Sequence, residues 1–320
     1  MTLSELLLGV TDPKILPDLD VTSVTEQADK AHTGAVFVCI KGAVADGHNF
    51  AGKAYENGCR VFVAEKALSL PHDAYVTLVS DTRLALATLA CNFYQHPSRS
   101  MHLIAITGTK GKTTTAQLLA HILNASNIPC GYVGTNGISY ADRKIDTNNT
   151  TPDAITLQAT LADMLERGVK TAVIEVSSQA LMQKRADGTQ FQTVLFTNLT
   201  PDHIGPREHS SFDHYKTCKS RLFTDFGATY AVCNIDDITG IEFLANTCAT
   251  QKITCSQSDR SADCYATNID LHKSDASLGV TFDLHQNETL VQSAILPLIG
   301  RVNVANALLA LATANRVFGR

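Results

Sequence analysis

The chain has 320 residues, with 44% hydrophobic and 18% charged side chains and a formal net charge of -5. That length accommodates two domains, the composition excludes wholesale disorder, and the acidic balance excludes a general nucleic-acid or membrane-surface binder. No apolar run approaches the ~20 residues of a membrane span, and Met1-Thr2-Leu3-Ser4-Glu5-Leu6 lacks the basic patch of a signal peptide, so a cytoplasmic protein is expected.

Residues 1–98 read as a small α/β domain. Apolar strands at Ala35–Ile40, Arg60–Ala64 and Tyr75–Val79 alternate with a helix around Ala54–Glu56 and one running to Tyr94, for which Ser80 or Asp81 is the cap. Strand–helix alternation implies a mainly parallel sheet. His96-Pro97-Ser98-Arg99-Ser100 is the break before a second domain, 99–320. There, strands are expected at His102–Ile106, Thr171–Val176, Thr193–Thr197, Tyr230–Asn234 and Lys252–Cys255, separated by helices, as in a doubly wound and mostly parallel sheet. From Tyr265 to Leu296 short alternating strands suggest an antiparallel extension, and a last helix is expected from Val302 to Val317. The nine cysteines are scattered singly, with no C-x-x-C pair, which disfavours zinc and redox motifs and points to reduced, buried thiols.

The strongest chemical signal is Thr107-Gly108-Thr109-Lys110-Gly111-Lys112-Thr113-Thr114-Thr115. It follows an apolar strand and opens a helix, the context in which backbone N–H groups and a helix N-terminus hold phosphate. Its G-x-x-G-K-T spacing is a shortened phosphate loop, in which Lys112 reaches the β/γ-phosphates and Thr113 or Thr114 holds Mg²⁺. Glu175 closes an apolar strand, a costly place for a carboxylate unless it is paired or binds metal. His203 follows another strand end, on the edge where an open α/β sheet binds ligands. On a helix from about Ser211 to Phe226, Lys219 shares a face with Phe212, Tyr215, Leu222, Phe223 and Phe226. A buried lysine must be compensated or lose its charge. Its neutral amine can take up CO₂ as an anionic carbamate, with simple snorkelling as the alternative. Asn303 and Asn306 share a helix face suited to a purine edge or to local capping. Thr151 and Asp153 flank Pro152, where capping explains them as well as ligand binding does.

These motifs resemble the Mur ligases, and most closely the MurE branch, which adds the third amino acid to the peptidoglycan precursor. The resemblance rests on Thr107–Thr115, Asn149-Thr150-Thr151-Pro152-Asp153, Glu175-Val176-Ser177-Ser178, Thr197-Asn198-Leu199-Thr200-Pro201-Asp202-His203, Tyr215 with Lys219, and Gly300-Arg301-Val302-Asn303-Val304-Ala305-Asn306-Ala307. It implies ATP-dependent amide formation: a carboxylate of UDP-MurNAc-L-Ala-D-Glu becomes an acyl phosphate, and the amine of lysine or meso-diaminopimelate displaces phosphate. It further implies that Gly108, Thr109, Lys110, Gly111, Lys112, Thr113, Thr114, Asn303 and Asn306 bind ATP. Thr113 or Thr114 with Glu175 would hold one Mg²⁺, and His203 with carbamylated Lys219 a second. His48, Asn149, Thr150, Thr151, Ser177, Gln183 and Arg185 would contact the nucleotide-sugar peptide. The first domain becomes a UDP-binding domain and the second an ATP-binding one.

Four departures qualify the resemblance. The family's Asp-Ser-Arg uridine motif falls on Gln27-Ala28-Asp29, although Gly34 and Asp46-Gly47-His48 fit. Glu-Val-Ser-Ser-His ends in Gln179, and Leu-Asp-Tyr-His after His203 is replaced by Ile204-Gly205-Pro206-Arg207-Glu208-His209. The chain also stops at Arg320, where the family continues into an amino-acid-binding domain. The expectation is therefore a ligase lacking its C-terminal domain, incomplete or inactive alone, or completed by a separate C-terminal subunit. The alternatives are a MurE-like or folylpolyglutamate-type ligase acting on another carboxylate, and a non-catalytic ATP-binding subunit of a split enzyme.

Overall fold

A computed structural model of the chain describes residues 1–11, 19–206, 208–273 and 278–320. Its contacts group into two compact units. The first comprises Met1–Arg99, Asp153–Asp163 and Gln183–Thr189, and the second Ser100–Pro152, Met164–Met182 and Gln190–Arg320. The two short segments, read from sequence as part of the ATP-binding domain, thus group with the first unit.

In the first unit, β1 (Ser23–Thr25), β2 (Ala35–Val38), β3 (Val61–Ala64) and β4 (Tyr75–Leu78) form an all-parallel sheet in that order. Helices α1 (Leu3–Leu6), α2 (Ala51–Glu56) and α3 (Thr82–Phe93) complete it. Parallel sheets are covered on both faces, and β2 and β3 are apolar throughout for that reason. Val36, Val38, Val61 and Val63 pack with Leu3, Leu6 and Leu89, whereas Phe37 and Phe62 pack with Ala51 and Ala54. Asp81 is the cap of α3, its carboxylate accepting from the N–H groups of Arg83 and Leu84.

The second unit is built on one sheet. Its strands are β5 (His102–Thr107), β6 (Cys130–Gly134), β7 (Gly137–Tyr140), β8 (Arg143–Ile145), β9 (Thr171–Glu175), β10 (Thr193–Phe196), β11 (Tyr230–Asn234), β12 (Gln251–Ser256), β13 (Cys264–Lys273), β14 (Leu278–Gln286) and β15 (Thr289–Leu296). Their order is β15-β14-β13-β12-β11-β10-β5-β9-β6-β7-β8. The α/β class and the antiparallel extension after residue 264 agree with the sequence reading. A second antiparallel extension, β6-β7-β8, does not appear in it. Two glycines in Cys130-Gly131-Tyr132-Val133-Gly134 weaken the strand signal, although every residue of β6 is buried.

The helices are α4 (Lys112–Ala125), α5 (Ala154–Glu166), α6 (Ser178–Met182), α7 (Phe212–Thr224), α8 (Ile238–Asn246) and α9 (Arg301–Phe318). Leu119 and Leu123 of α4 and Leu308 and Leu309 of α9 share one core cluster with Ile104, Ile106, Leu195 and Val232 of the sheet. All nine cysteines are free thiols; eight are buried and Cys248 is exposed. Among the described residues no helix is long and apolar enough to cross a membrane.

Candidate active site

Strand β5 lies centrally, with β9 on one side and β10 on the other. The chain leaves β5 toward β6 on one flank and later crosses to β10 on the other, so the strand order reverses at β5. Open α/β sheets bind ligands beyond the strand C-termini at such a point. Residues Gly108–Gly111 occupy it, between β5 and the N-terminus of α4, whose unpaired N–H groups and dipole favour anions.

The loop's glycines are required by geometry. A Cβ on Gly108 would stand 1.9 Å from Thr197 Oγ1, and one on Gly111, which has φ of +84°, would stand 2.3 Å from Asn306 Oδ1. The β10 exit clamps the loop. Thr109 N–H donates to Asn198 O (2.8 Å), Lys110 N–H to Asn198 Oδ1 (3.0 Å), and Thr197 Oγ1 to Lys110 O (2.7 Å). Lys112 donates to the Gly108 and Thr109 carbonyls, both at 3.0 Å. Burial holds its amine below the ordinary lysine value, with Glu175 opposing the shift.

Glu175 is fully buried and closes β9. Its Oε1 accepts from the Tyr132 hydroxyl (2.6 Å) and Thr135 N–H (3.1 Å), and its Oε2 from the Thr113 hydroxyl (2.9 Å) and the Thr135 hydroxyl (3.2 Å). Thr113 is therefore the member of the threonine pair that reaches the carboxylate. Burial, then the Glu175 contact, pushes the Tyr132 phenol up. The carboxylate and the Thr113 hydroxyl are hard oxygen donors in contact, a set that suits Mg²⁺.

Lys219 is 1% exposed on α7. Its Nζ donates to Gly108 O at 2.8 Å and lies 4.5 Å over the Tyr215 ring. Burial and the nearby Lys112 ammonium hold this amine well below the ordinary lysine value, which favours the neutral form. Simple snorkelling is thereby excluded, since the head group is as enclosed as the stem. Tyr215 itself hydrogen-bonds Thr109 Oγ1 at 3.1 Å.

His203 stands differently from its neighbours. Its side chain is half exposed; Nδ1 pairs with Glu208 at 3.0 Å, and Asp202, 4.0 Å from Nε2, also pairs with Lys110. Its ring centroid is 6.3 Å from that of Tyr215. The structure thus links His203 to the loop through Asp202 and Tyr215 rather than by direct contact. Asn306 is buried beside Gly111 and donates to Asn303 Oδ1 at 3.3 Å; Asn303 donates to Ile299 O.

The expected nucleotide-sugar residues divide between the two units. In the second unit, Thr151 is fully buried and donates to Glu175 O at 2.8 Å while accepting from Ser177 N–H at 3.0 Å. Thr150 hydrogen-bonds Thr135, and Asn149 is exposed with its carbonyl accepting from Thr147. Thr151 therefore faces the Glu175 edge, whereas the capping belongs to Asp153, which accepts from Thr156 N–H. In the first unit, Arg185 forks onto Gln183 Oε1 at 3.1 and 2.7 Å. Gln183 lines a cavity of about 360 Å³ with Glu26, Gln27, Gly42 and Arg83. Both ring nitrogens of His48 are already engaged, Nδ1 with Asp46 and Nε2 with Glu65 N–H, so this side chain builds the wall beside Gly47 and offers no free donor. Arg207 lies outside the described residues.

Sequence reasoning missed Tyr132 and Thr135 because β6 and the turn that follows it were missed. The turn Gly134-Thr135-Asn136-Gly137 after an apolar run was the available signal. Asn198, Asp202 and Tyr215 lie inside the family-like motifs, but their roles as loop clamp and loop partners follow only from the tertiary structure.

The sequence model of the Mur ligase middle domain matches residues 106–314, and that of the Mur ligase family catalytic domain matches residues 20–94. The UDP-N-acetylmuramoyl-L-alanyl-D-glutamate–2,6-diaminopimelate ligase of Bacillus cereus is 37% identical, covering 98% of this chain and 63% of its own length. That of Bacillus licheniformis is 38% identical, covering 93% and 60%. The chain spans about six tenths of the length of these curated relatives. A solved structure of a protein with the same ligase name superposes with a TM-score of 0.84 at 27% identity, covering 99% of this chain and 64% of that one.

Proposed function

The chain belongs to the Mur ligase family, and from that premise we propose that it forms the acceptor- and ATP-binding part of an ATP-dependent amide ligase of peptidoglycan precursor synthesis. The acceptor is UDP-MurNAc-L-Ala-D-Glu, and the amino acid is 2,6-diaminopimelate, as in the names of the relatives. One observation carries this reading: a phosphate loop, a buried carboxylate and a buried lysine meet at the switch point of one sheet.

Each residue has a role that follows from its surroundings. The N–H groups of residues 108–113 and the Lys112 ammonium receive the β/γ-phosphates. Asn303 and Asn306 lie beside the loop, where the adenine would sit. Glu175 and Thr113 hold one Mg²⁺, supported by their contact and hard-donor chemistry. We assign a second ion to His203 and to Lys219 as its carbamate; both flank the Tyr215 ring, and the enclosed amine is the form that takes up CO₂. Bound Mg²⁺ supplies positive charge against the transferring phosphoryl group. Thr150, Thr151 and Ser177, on the Glu175 edge, bind the acceptor near its reacting carboxylate, which attacks the γ-phosphorus while ADP leaves. The amine of the amino acid then attacks the acyl carbon, phosphate departs, and the amide remains. Gln183 and Arg185 contact the nucleotide-sugar end. The reading carries with it the expected cytoplasmic location.

The identity to diaminopimelate ligases favours this acceptor over folate, and the intact Lys112, Glu175, His203 and Lys219 weigh against a non-catalytic subunit. Completion of the site by a further domain or a separate subunit remains part of the proposal. In the complete protein, ADP release should require both UDP-MurNAc-dipeptide and diaminopimelate. Release with folate or a bare peptide, and none with UDP-MurNAc-dipeptide, overturns the reading.

A further inference from the structure

The segment following Asp202 holds donor atoms that the ligase reading leaves unused. His214 and Cys218 are four residues apart on α7, so they form a stripe of their own beside the one carrying Tyr215 and Lys219. His209, from the preceding loop, closes on them. Its ring centroid lies 5.1 Å from that of His214, and one donor atom from each of His209, His214 and Cys218 lies within 4.8 Å of the others.

His209 supplies an independent sign of a missing partner. The residue is fully buried; its Nε2 hydrogen-bonds Ser178 Oγ at 2.9 Å, while its Nδ1 has no hydrogen-bond partner among the described residues. Buried imidazole nitrogens are rarely left so. In the tautomer that donates Nε2–H to Ser178 Oγ, Nδ1 presents its lone pair. A hydrogen bond from the far ring nitrogen is how metal-binding histidines are held in orientation.

We propose that His209, His214 and Cys218 form a site for a borderline-soft divalent cation of the zinc class, with a fourth position open to water. Two imidazoles and a thiolate select zinc-like ions and discriminate against Mg²⁺, which prefers oxygen. Tetrahedral bonding at about 2.0–2.3 Å draws the donors closer together than the 4.8 Å within which they now stand. On binding, the Cys218 S–H proton passes to solvent and the thiolate takes its place in the coordination shell. Tyr215 separates this site from the phosphate loop, its ring 5.2 Å from that of His209. A bound cation would therefore pin the first turns of α7, which carry Tyr215 and Lys219. The inference does not depend on which substrate the ligase takes.

Co²⁺ titration of the purified 320-residue chain tests it. The expected result is one equivalent bound with a thiolate-to-cobalt charge-transfer band, displaced by Zn²⁺ and unaffected by excess Mg²⁺. Cys218→Ser should abolish the band, and His214→Gln should weaken Co²⁺ binding by about tenfold or more, both with the thermal melt of the parent chain. Absence of the band in the parent, or an equal band in Cys218→Ser, overturns the proposal. Should Cys218→Ser fail to fold, unchanged affinity in a folded His214→Gln does the same.

Discussion

Lys219 shows how much a single residue's surroundings decide. Its helical spacing announced a buried face, but only the carbonyl of Gly108 and the ring of Tyr215 show how an amine is accommodated there. Because burial holds the folded-state pKa low, the unfolded chain carries a proton that the folded chain lacks, from that lowered value up to the ordinary lysine range. Stability should rise with pH across this window and fall as pH drops. Urea titrations across neutral to alkaline pH should show that slope, and Lys219→Met should flatten it. On the proposed ligase reading, Lys219→Ala should lower turnover by about a hundredfold or more, partly restored by a short carboxylate in solution. Full activity in the substituted protein would end the carbamate assignment. Thr151 teaches the converse lesson: sequence left capping and ligand binding open, and its contacts with Glu175 and Ser177 favour the site.

At the scale of elements, the β5–loop–α4 unit was legible because every feature of it is local. An apolar strand, small residues and a helix start follow one another within fourteen residues of chain, and the N-terminus of α4 needs no distant partner to attract anions. Gly111 caps the helix at a positive φ with Asn306 against it. Gly111→Ala should therefore cost about 1–2 kcal/mol from the backbone alone, displace Asn306, and weaken ATP binding measured by calorimetry; unchanged affinity would remove Asn306 from the nucleotide site. The β6-β7-β8 extension was not legible, since glycine-rich β6 owes its burial to β9 and β7 rather than to its own propensity.

For the whole molecule, the first unit is discontinuous in sequence. Ala154, at the start of α5, packs against Ala87 and Ala90 of α3, and Asp187 O faces the Cys91 thiol. A fragment ending at Arg99 leaves these α3 residues uncovered. It should melt at a lower temperature and bind a hydrophobic dye more strongly than the same unit within the full chain; an equal melt would show that residues 1–99 suffice. Linear reading puts a boundary where composition breaks, near His96-Pro97, and cannot see that Asp153–Asp163 and Gln183–Thr189 return to the first unit.

Motif order and spacing by themselves determined the α/β class, the strand–loop–helix around Gly108–Gly111, the buried carboxylate and lysine, and the family resemblance, because each is written in contiguous residues whose chemistry has few other uses. Only the tertiary structure decided which threonine meets Glu175, that His203 turns to Glu208, that His48 is consumed within its own unit, and that His209, His214 and Cys218 converge. Those outcomes depend on side-chain directions and on which strand lies beside which. Such directions are set by packing across the sheet and leave no periodic trace along the chain.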